Sequence, residues 1–148
     1  HLSLRRQRQM CIRDSYKMGT KTVTVTANAD RNTYTLTGFY SLSRVQAEYA
    51  RSIGTLSIKA QSVGMAYGYY AQLCAWNTSS GNLNWMEGFG MMGVNSTDDP
   101  LTISFVDNGV WGESDSFIVY AFSGLPPVNG NAVGSIERII GPVLVKQD

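Results

Sequence analysis

The side chains best suited to chemistry in this sequence are carboxylates set among asparagine, glycine and tryptophan residues. One acidic cluster is Asp98 and Asp99, and the second is Asp107, Glu113 and Asp115 around an Asn-Gly pair. Oxygen-rich loops of this kind can hold Ca²⁺, which prefers several hard oxygen ligands. Asp98, Asp99 and Glu113 are therefore candidate calcium ligands. Their spacing matches no EF-hand loop, and carboxylates that form local hydrogen bonds in solvated turns explain the pattern equally well.

Three tryptophans accompany these loops and raise the possibility of a sugar site. Flat aromatic rings beside amides and carboxylates suit carbohydrate, because stacking supplies contact area while the polar groups bond the hydroxyls. The alternative is that each tryptophan seals an end of the hydrophobic core, the default place for a large aromatic residue. The candidate ligand-binding residues are Trp76, Trp85, Trp111, Asp107 and Asp115.

Residues 60–137 contain no Lys, Arg or His, although they make up more than half of the chain and include all three tryptophans. A phosphate clamp, a cationic oxyanion stabiliser or an imidazole base cannot come from this stretch, and most enzyme mechanisms need such a group. We therefore expect no catalytic residues and a protein that is not an enzyme. Two of the carboxylates could still serve in glycoside hydrolysis if a cleft held them at a fixed separation.

The first residues form a separate segment. Residues 5–14 read RRQRQMCIRD and are followed by Ser15. These ten residues resemble the translation of a transposase adapter used to build shotgun sequencing libraries. We interpret residues 1–15 as a non-native, adapter-derived segment; the alternative is a natural basic tail. The resemblance implies a gene assembled from environmental reads, so we expect the single domain over 16–148 to be truncated at its N-terminal side.

Excluding residues 1–15 changes the charge and the cysteine count. Eight basic and ten acidic residues remain, a net charge of −2. Affinity for nucleic acid rests on Lys and Arg neutralising phosphates, so we expect no nucleic-acid partner. Cys74 is left as the one cysteine; its apolar neighbours and the lack of a histidine indicate a buried, inert thiol. No apolar run reaches the roughly 18 residues of a membrane helix, so no membrane span is expected.

Alternating apolar and hydroxyl residues predict strands along most of the chain. In residues 21–28, Val23 and Val25 point one way and the threonines the other, and β-branched residues on both faces favour a strand over a helix. The turn sequence ADRN joins this strand to a second over 33–40, which predicts a hairpin. Further strands are predicted over 55–63, 66–76, 83–89, 101–106, 117–122, 133–140 and 143–146. The strand over 117–122 is expected to be buried on both faces.

Residues 43–52 fit two kinds of structure. Ser43 and Gln46 match a capping box, and Val45 and Tyr49 lie four residues apart, as they would on one face of a helix. We predict one short helix here, although the alternation of Val45 and Tyr49 with polar residues fits a strand nearly as well.

Asn108-Gly109 is the strongest short hairpin signal in the chain, because a two-residue type I′ turn needs positive φ at both central positions. It predicts that the strand over 101–106 returns through Val110 and Trp111. We expect this turn to be structural rather than a ligand site.

About eight to ten short strands separated by Gly, Asn and Pro turns predict an all-β fold, an antiparallel sandwich or jelly roll, with a closed barrel as the second choice. The Thr-, Ser-, Gly- and Asn-rich composition is similar in style to phage fibre-tip and capsid jelly rolls.

The leading functional hypothesis is a structural or attachment module of an extracellular or virion assembly, binding its own copies in a homo-oligomer or a host surface glycan. The alternative is a lectin-like carbohydrate-binding module, with or without calcium; no other cofactor is expected. A small glycoside hydrolase ranks third.

Overall fold

The computed structural model describes residues 13–50, 53–96, 100–110, 113–125 and 131–147. Within these residues the chain forms thirteen strands and no helix, and the strands pair in antiparallel fashion. The strands are β1 Arg13–Met18, β2 Lys21–Ala27, β3 Thr33–Tyr40, β4 Ser43–Ala50, β5 Thr55–Lys59, β6 Gln61–Ala66, β7 Tyr69–Trp76, β8 Leu83–Asn84, β9 Gly90–Asn95, β10 Thr102–Asp107, β11 Ser116–Phe122, β12 Ala132–Ile140 and β13 Val143–Lys146. The predicted all-β, antiparallel fold is confirmed.

The chain divides into two compact units, which together replace the predicted single sandwich with a closed barrel and a separate sheet. The first unit is His1–Ile58, Met92–Phe105 and Val143–Asp148, and the second is Lys59–Met91 and Val106–Pro142. Nothing in the described residues has the helical length and hydropathy that a membrane crossing requires.

The barrel has eight strands in the order β1-β13-β10-β9-β5-β4-β3-β2, and β2 closes it against β1. Closure leaves no free strand edge, and eight strands enclose an interior just wide enough for side chains to fill. The predicted hairpin is confirmed, because β2 pairs with β3 through Val25 opposite Leu36. The large, fully buried residues of the barrel strands are Tyr16, Tyr34, Leu36, Phe39, Tyr40, Leu56, Ile58, Met91, Ile103 and Leu144.

A close backbone approach marks the middle of β3. Gly38 has φ +92°, and a Cβ built there would lie 2.1 Å from the Thr22 carbonyl oxygen on β2. The pairing of β3 with β4 shifts register between Leu36 and Tyr40, so Gly38 sits at an irregularity in the strand. Only glycine fits both the positive φ and the contact.

The helix predicted over 43–52 is wrong where the structure describes this segment. Ser43–Ala50 is strand β4, paired with β3 on one side and β5 on the other. Val45, Ala47 and Tyr49 are all buried, which is the period of two of a strand. Burial inside the barrel therefore outweighs the local capping-box signal.

The second unit holds an open sheet in the order β12-β11-β7-β6. The short strand β8 lies off this path and pairs with β7 through Leu83 and Asn84. Central strand β11 is buried on both faces, as predicted from its apolar sequence: Phe117 and Val119 face one side, and Ile118 and Phe122 the other.

The hairpin predicted at Asn108-Gly109 is wrong. Strand β10 pairs with β13 in the barrel, whereas β11 pairs with β7 and β12 in the sheet, so this segment connects two sheets. Gly109 does have φ +79°. Local hydrogen bonds explain why an Asn-Gly pair serves here without a hairpin, because Asp107 Oδ2 accepts from the Gly109 N–H at 2.8 Å and Asn108 Oδ1 from the Val110 N–H at 3.1 Å.

The tight two-residue hairpin lies elsewhere, between β6 and β7. Tyr67 and Gly68 have φ +54° and +81°, the signs of a type I′ turn, and the flanking residues Ala66 and Tyr69 are paired. The predicted continuous strand over 66–76 is therefore wrong at its start. The sequence signal was missed because tyrosine is an uncommon residue at a left-handed position.

Candidate functional site

One face of the open sheet carries a cluster of aromatic side chains. Directly paired residues of adjacent strands project to the same side of a sheet, so Cys74 opposite Ile118 and Tyr70 opposite Phe122 share a face. Cys74, Ile118 and Phe122 form a buried cluster, with Leu83 packed against them. We call the half-buried aromatic residues around this cluster the aromatic face: Tyr70, Trp76, Trp85 and Tyr120.

The aromatic face is held in place by ring packing and by one buried amide. The Trp85 ring lies edge-on to Phe122 with centroids 6.3 Å apart, and Tyr120 lies tilted at 6.0 Å from the same ring. Gln72 is buried and donates from Nε2 to the Trp85 carbonyl oxygen at 2.9 Å, which fixes the segment after β8 over the sheet. Trp76 and Trp85 therefore fit both the core and the binding interpretation. Each side chain packs on the buried cluster, and each is still partly accessible.

Arg138 on β12 lies over Trp76, with its guanidinium carbon 5.8 Å from the ring centroid. Its register opposite Ile118 places it on the same side of the sheet as the aromatic face. A guanidinium over an indole is a cation–π arrangement. Sequence reasoning missed Arg138 because it stands one residue beyond the stretch without basic residues; the alternation of β12 was the signal that could have placed it.

Asp115 joins the same end of the sheet as Trp76. Its backbone N–H donates to the Trp76 carbonyl oxygen at 3.0 Å. Its carboxylate accepts from the Thr78 N–H at 3.1 Å and from the Thr78 hydroxyl at 2.8 Å. Desolvation is the largest single effect and raises the pKa of Asp115, but the hydrogen bonds from Thr78 and Ser116 together outweigh it, and the net effect lowers the pKa. Asp115 is therefore an ionised hydrogen-bond acceptor at neutral pH.

The loop after Trp76 is built on Asn77. Its Oδ1 accepts from the backbone N–H groups of Ser79 at 2.9 Å and Ser80 at 2.8 Å, and its Nδ2 donates to the Glu113 carbonyl oxygen. The nitrogen that would carry a glycan at an Asn77-Thr78-Ser79 acceptor site is thus engaged in a hydrogen bond. Through these hydrogen bonds, Asn77 links the loop before β8 to the segment before β11.

The remaining predicted residues are not brought into the aromatic face. The Asp107 carboxylate accepts from the backbone N–H groups of Gly109 and Ser114, so it shapes its own loop. Trp111, Asp98 and Asp99 lie outside the described residues. Within the described ranges, no group of three or more His, Cys, Asp or Glu residues gathers in a way that could hold a metal ion. The calcium role of Asp98, Asp99 and Glu113 stays a prediction.

Cys74 lies within the buried cluster with no exposed surface, and burial raises the pKa of its thiol well above the ordinary value. The thiolate, which is the reactive form, is therefore disfavoured. The predicted burial of the thiol is confirmed, and its inertness stays a prediction.

The barrel carries an open depression of about 310 Å³. The salt bridge between Lys146 Nζ and Asp14 Oδ1, 3.2 Å long, crosses it. Three of its residues belong to residues 1–15, which we interpret as adapter-derived, so this depression is not assigned a function. The lining residues are Arg13, Asp14, Ser15, Thr24, Lys146 and Gln147.

Comparison with known proteins assigns a family without an activity. No curated protein matches the chain. No solved structure matches it either. A family model described as a domain of unknown function, DUF4987, matches residues 13–120, a stretch that includes Trp76, Trp85 and Asp115 but ends before Arg138. The chain belongs to the DUF4987 family.

Proposed function

We propose that this chain is a non-enzymatic attachment module of an extracellular or virion assembly, which binds its target through the aromatic face. The observation that carries the proposal is the set of four half-buried aromatic side chains on one side of an open sheet. Apolar patches rimmed by polar groups are typical of interaction sites. Here the rim includes Arg138 and Asp115, placed by the pairing of β12 and by the loop after β7.

A carbohydrate target is the second candidate, favoured by the contact between Trp76 and Asp115. An accessible indole supplies a stacking surface, and the ionised carboxylate of the residue whose backbone bonds the Trp76 backbone can accept hydrogen bonds from sugar hydroxyls. Two further polar groups, the Thr78 hydroxyl and the Arg138 guanidinium, lie against these two side chains. This arrangement supports a lectin-like module and does not require calcium.

Hydrolysis is disfavoured by the state of the two carboxylates. A general acid in glycoside hydrolysis needs a raised pKa, whereas hydrogen bonds lower the pKa of Asp115. Asp107 already binds two backbone N–H groups of its own loop. The proposal therefore gives neither residue a catalytic role.

Self-association is part of the proposal because β12 is a long edge strand. Among the described strands it pairs with β11 alone, and Val133 and Ile140 are 50% and 65% exposed. A strand at the end of the order in its sheet can add a strand from another chain, here a second copy. Sedimentation of the parent and of Ile140→Lys should show an oligomer in the first and a smaller species in the second.

The test of the target is a glycan array, run with and without a calcium chelator. Trp76→Ala and Trp85→Ala should each weaken binding by about tenfold or more, because each removes a stacking ring. Thr37→Ala is the matched control, since Thr37 is exposed on barrel strand β3. Binding that survives both tryptophan changes, or that is lost in Thr37→Ala, would contradict the proposal.

A further inference from the structure

The tip of the β6–β7 hairpin carries a tyrosine in a backbone conformation that tyrosine disfavours. Tyr67 has φ +54° at the first central position of the turn, where Asn, Asp or Gly fits with less strain. Its side chain is 78% exposed, so packing against the rest of the protein does not compensate for the strain. Strained residues of this kind often serve a function rather than the fold.

The residues around the tip are also exposed, and they are apolar or aromatic. Met65 is 60% exposed and Tyr69 is 39% exposed, and both flank the turn. No charged residue occurs anywhere in residues 60–86. The hairpin therefore ends in an exposed apolar and aromatic tip that carries no formal charge.

The geometry points to insertion of this tip into the interface of a zwitterionic lipid bilayer. Tyrosine places an apolar ring and a polar hydroxyl at the boundary between headgroups and acyl chains, and Met65 adds apolar area beside it. Entry requires no desolvation of a charged side chain. The tip also offers no cation for anionic headgroups, so we assign a neutral lipid surface.

The hairpin backbone suits this role. Met65 pairs with Tyr70 and Ala66 pairs with Tyr69, so the two residues of β6 nearest the turn are paired, beyond an irregularity in the ladder between Ser62 and Met65. Unpaired backbone groups are the main cost of entering lipid, and this pairing reduces it. A two-residue turn is convex and narrow, and a fluid surface can receive it without a matching concavity. Met65, which pairs with Tyr70, lies on the same side of the sheet as the aromatic face, but the inference rests on the turn and extends beyond the proposed attachment function.

The test measures partition of the full chain onto phosphatidylcholine vesicles by co-sedimentation. Tyr67→Asn should lower the partition coefficient by about fivefold or more, because membrane affinity scales with buried apolar area. The same change should leave the melting temperature equal or higher, since Asn tolerates positive φ better than Tyr. Tyr67→Trp should retain partition. Leu42→Asn is the matched control, because Leu42 is 54% exposed in a barrel turn, and it should change nothing.

Four outcomes would overturn the inference. The first is no partition of the parent chain onto phosphatidylcholine. The second is partition that requires phosphatidylserine and disappears with salt, which would indicate a cationic surface instead. The third is equal loss in Tyr67→Asn and Leu42→Asn. The fourth is self-association in the absence of lipid that Tyr67→Asn abolishes, which would make the tip a contact between copies.

Discussion

The barrel and the open sheet use aromatic residues in opposite ways. In the barrel, Tyr16, Tyr34 and Phe39 are fully buried, and threonines occupy the other side of β2 and β3. In the sheet, Trp76 and Trp85 remain partly accessible around a small buried cluster. A closed barrel can bury its large side chains inside, whereas an open sheet leaves one face and its edges available. In the proposed function, the barrel therefore supplies stability and the sheet supplies the binding surface.

The largest expected effect is in the barrel, at Gly38. Gly38→Ala should destabilise the protein by about 4 kcal/mol or more, because the new Cβ meets the Thr22 carbonyl oxygen and the residue must keep positive φ. Gly134→Ala on the edge strand β12 is the control; its Cβ meets nothing within 4 Å, and the change should be nearly neutral. Chemical denaturation measures both. Equal stability of the two variants would remove the distinction between a tightly specified barrel and a tolerant sheet edge.

The next effect is in the sheet, at the buried cluster under the aromatic face. Phe122→Ala should cost about 3 kcal/mol, because it leaves a cavity among Cys74, Ile118 and the surrounding rings. Leu125→Ala, an exposed residue in the following loop, should cost less than about 0.5 kcal/mol. Thermal or urea unfolding gives both values. A small loss in Phe122→Ala would mean that the aromatic face is not supported by this cluster.

A smaller effect depends on pH. Burial raises the pKa of Cys74, so on the alkaline side the unfolded chain loses this proton first. Ionisation of the thiol therefore has no effect on the free energy of unfolding below its ordinary pKa. Above about pH 9, this free energy should fall by about 1.4 kcal/mol per pH unit. Urea unfolding from pH 8 to 10 measures the slope. Cys74→Ala should lack this contribution; identical alkaline slopes in parent and variant would show that the sheet interior admits the thiolate.

The smallest effect is at Asp115. Hydrogen bonds lower its pKa, so it contributes stability above its ordinary pKa of about 4 and loses that contribution as pH falls through the folded value. Because this carboxylate is exposed, solvent screening limits the contribution to less than about 0.5 kcal/mol. Asp115→Asn should therefore melt at almost the same temperature as the parent at pH 7. Its stability should fall slightly less steeply than that of the parent as the pH is lowered. A loss above 1 kcal/mol at pH 7 would make Asp115 a structural residue rather than a rim residue.

Sequence periodicity predicts most of the strands but not β1, β4 or β9, and it predicts the assignment of strands to sheets poorly. The β2–β3 hairpin and the doubly buried β11 follow from local patterns that the structure confirms. Residues 55–63 alternate as one strand, yet at Ala60 the chain passes from β5 in the barrel to β6 in the sheet. The alternation of side chains is the same in both strands, so it does not show where the chain leaves one sheet and enters the other. The Asn108-Gly109 error has the same cause, since turn chemistry does not reveal which strands pair.

The candidate site was predicted only in part. Trp76 and Asp115 are joined through the loop and strand at one end of the sheet, as a shared site requires. Arg138 and Tyr67 were missed for different reasons. Arg138 reaches Trp76 across β11, the strand that lies between β12 and β7, and Tyr67 occupies a turn position that its residue type disfavours. The alternation of β12 could have placed Arg138 on a face of the sheet, but the pairing that brings it over Trp76 and the strain at Tyr67 do not follow from local sequence.

The measurement that tests the central claim most directly is a two-dimensional NMR titration of the ¹⁵N-labelled chain with the oligosaccharide selected on the array. The account predicts that the largest shifts occur at the indole Nε1–H signals of Trp76 and Trp85 and at the Gln72 side chain, while the barrel amides of Val23 and Leu36 stay in place. Shifts concentrated on the outer threonines of the barrel, with both indole signals unmoved, would contradict it.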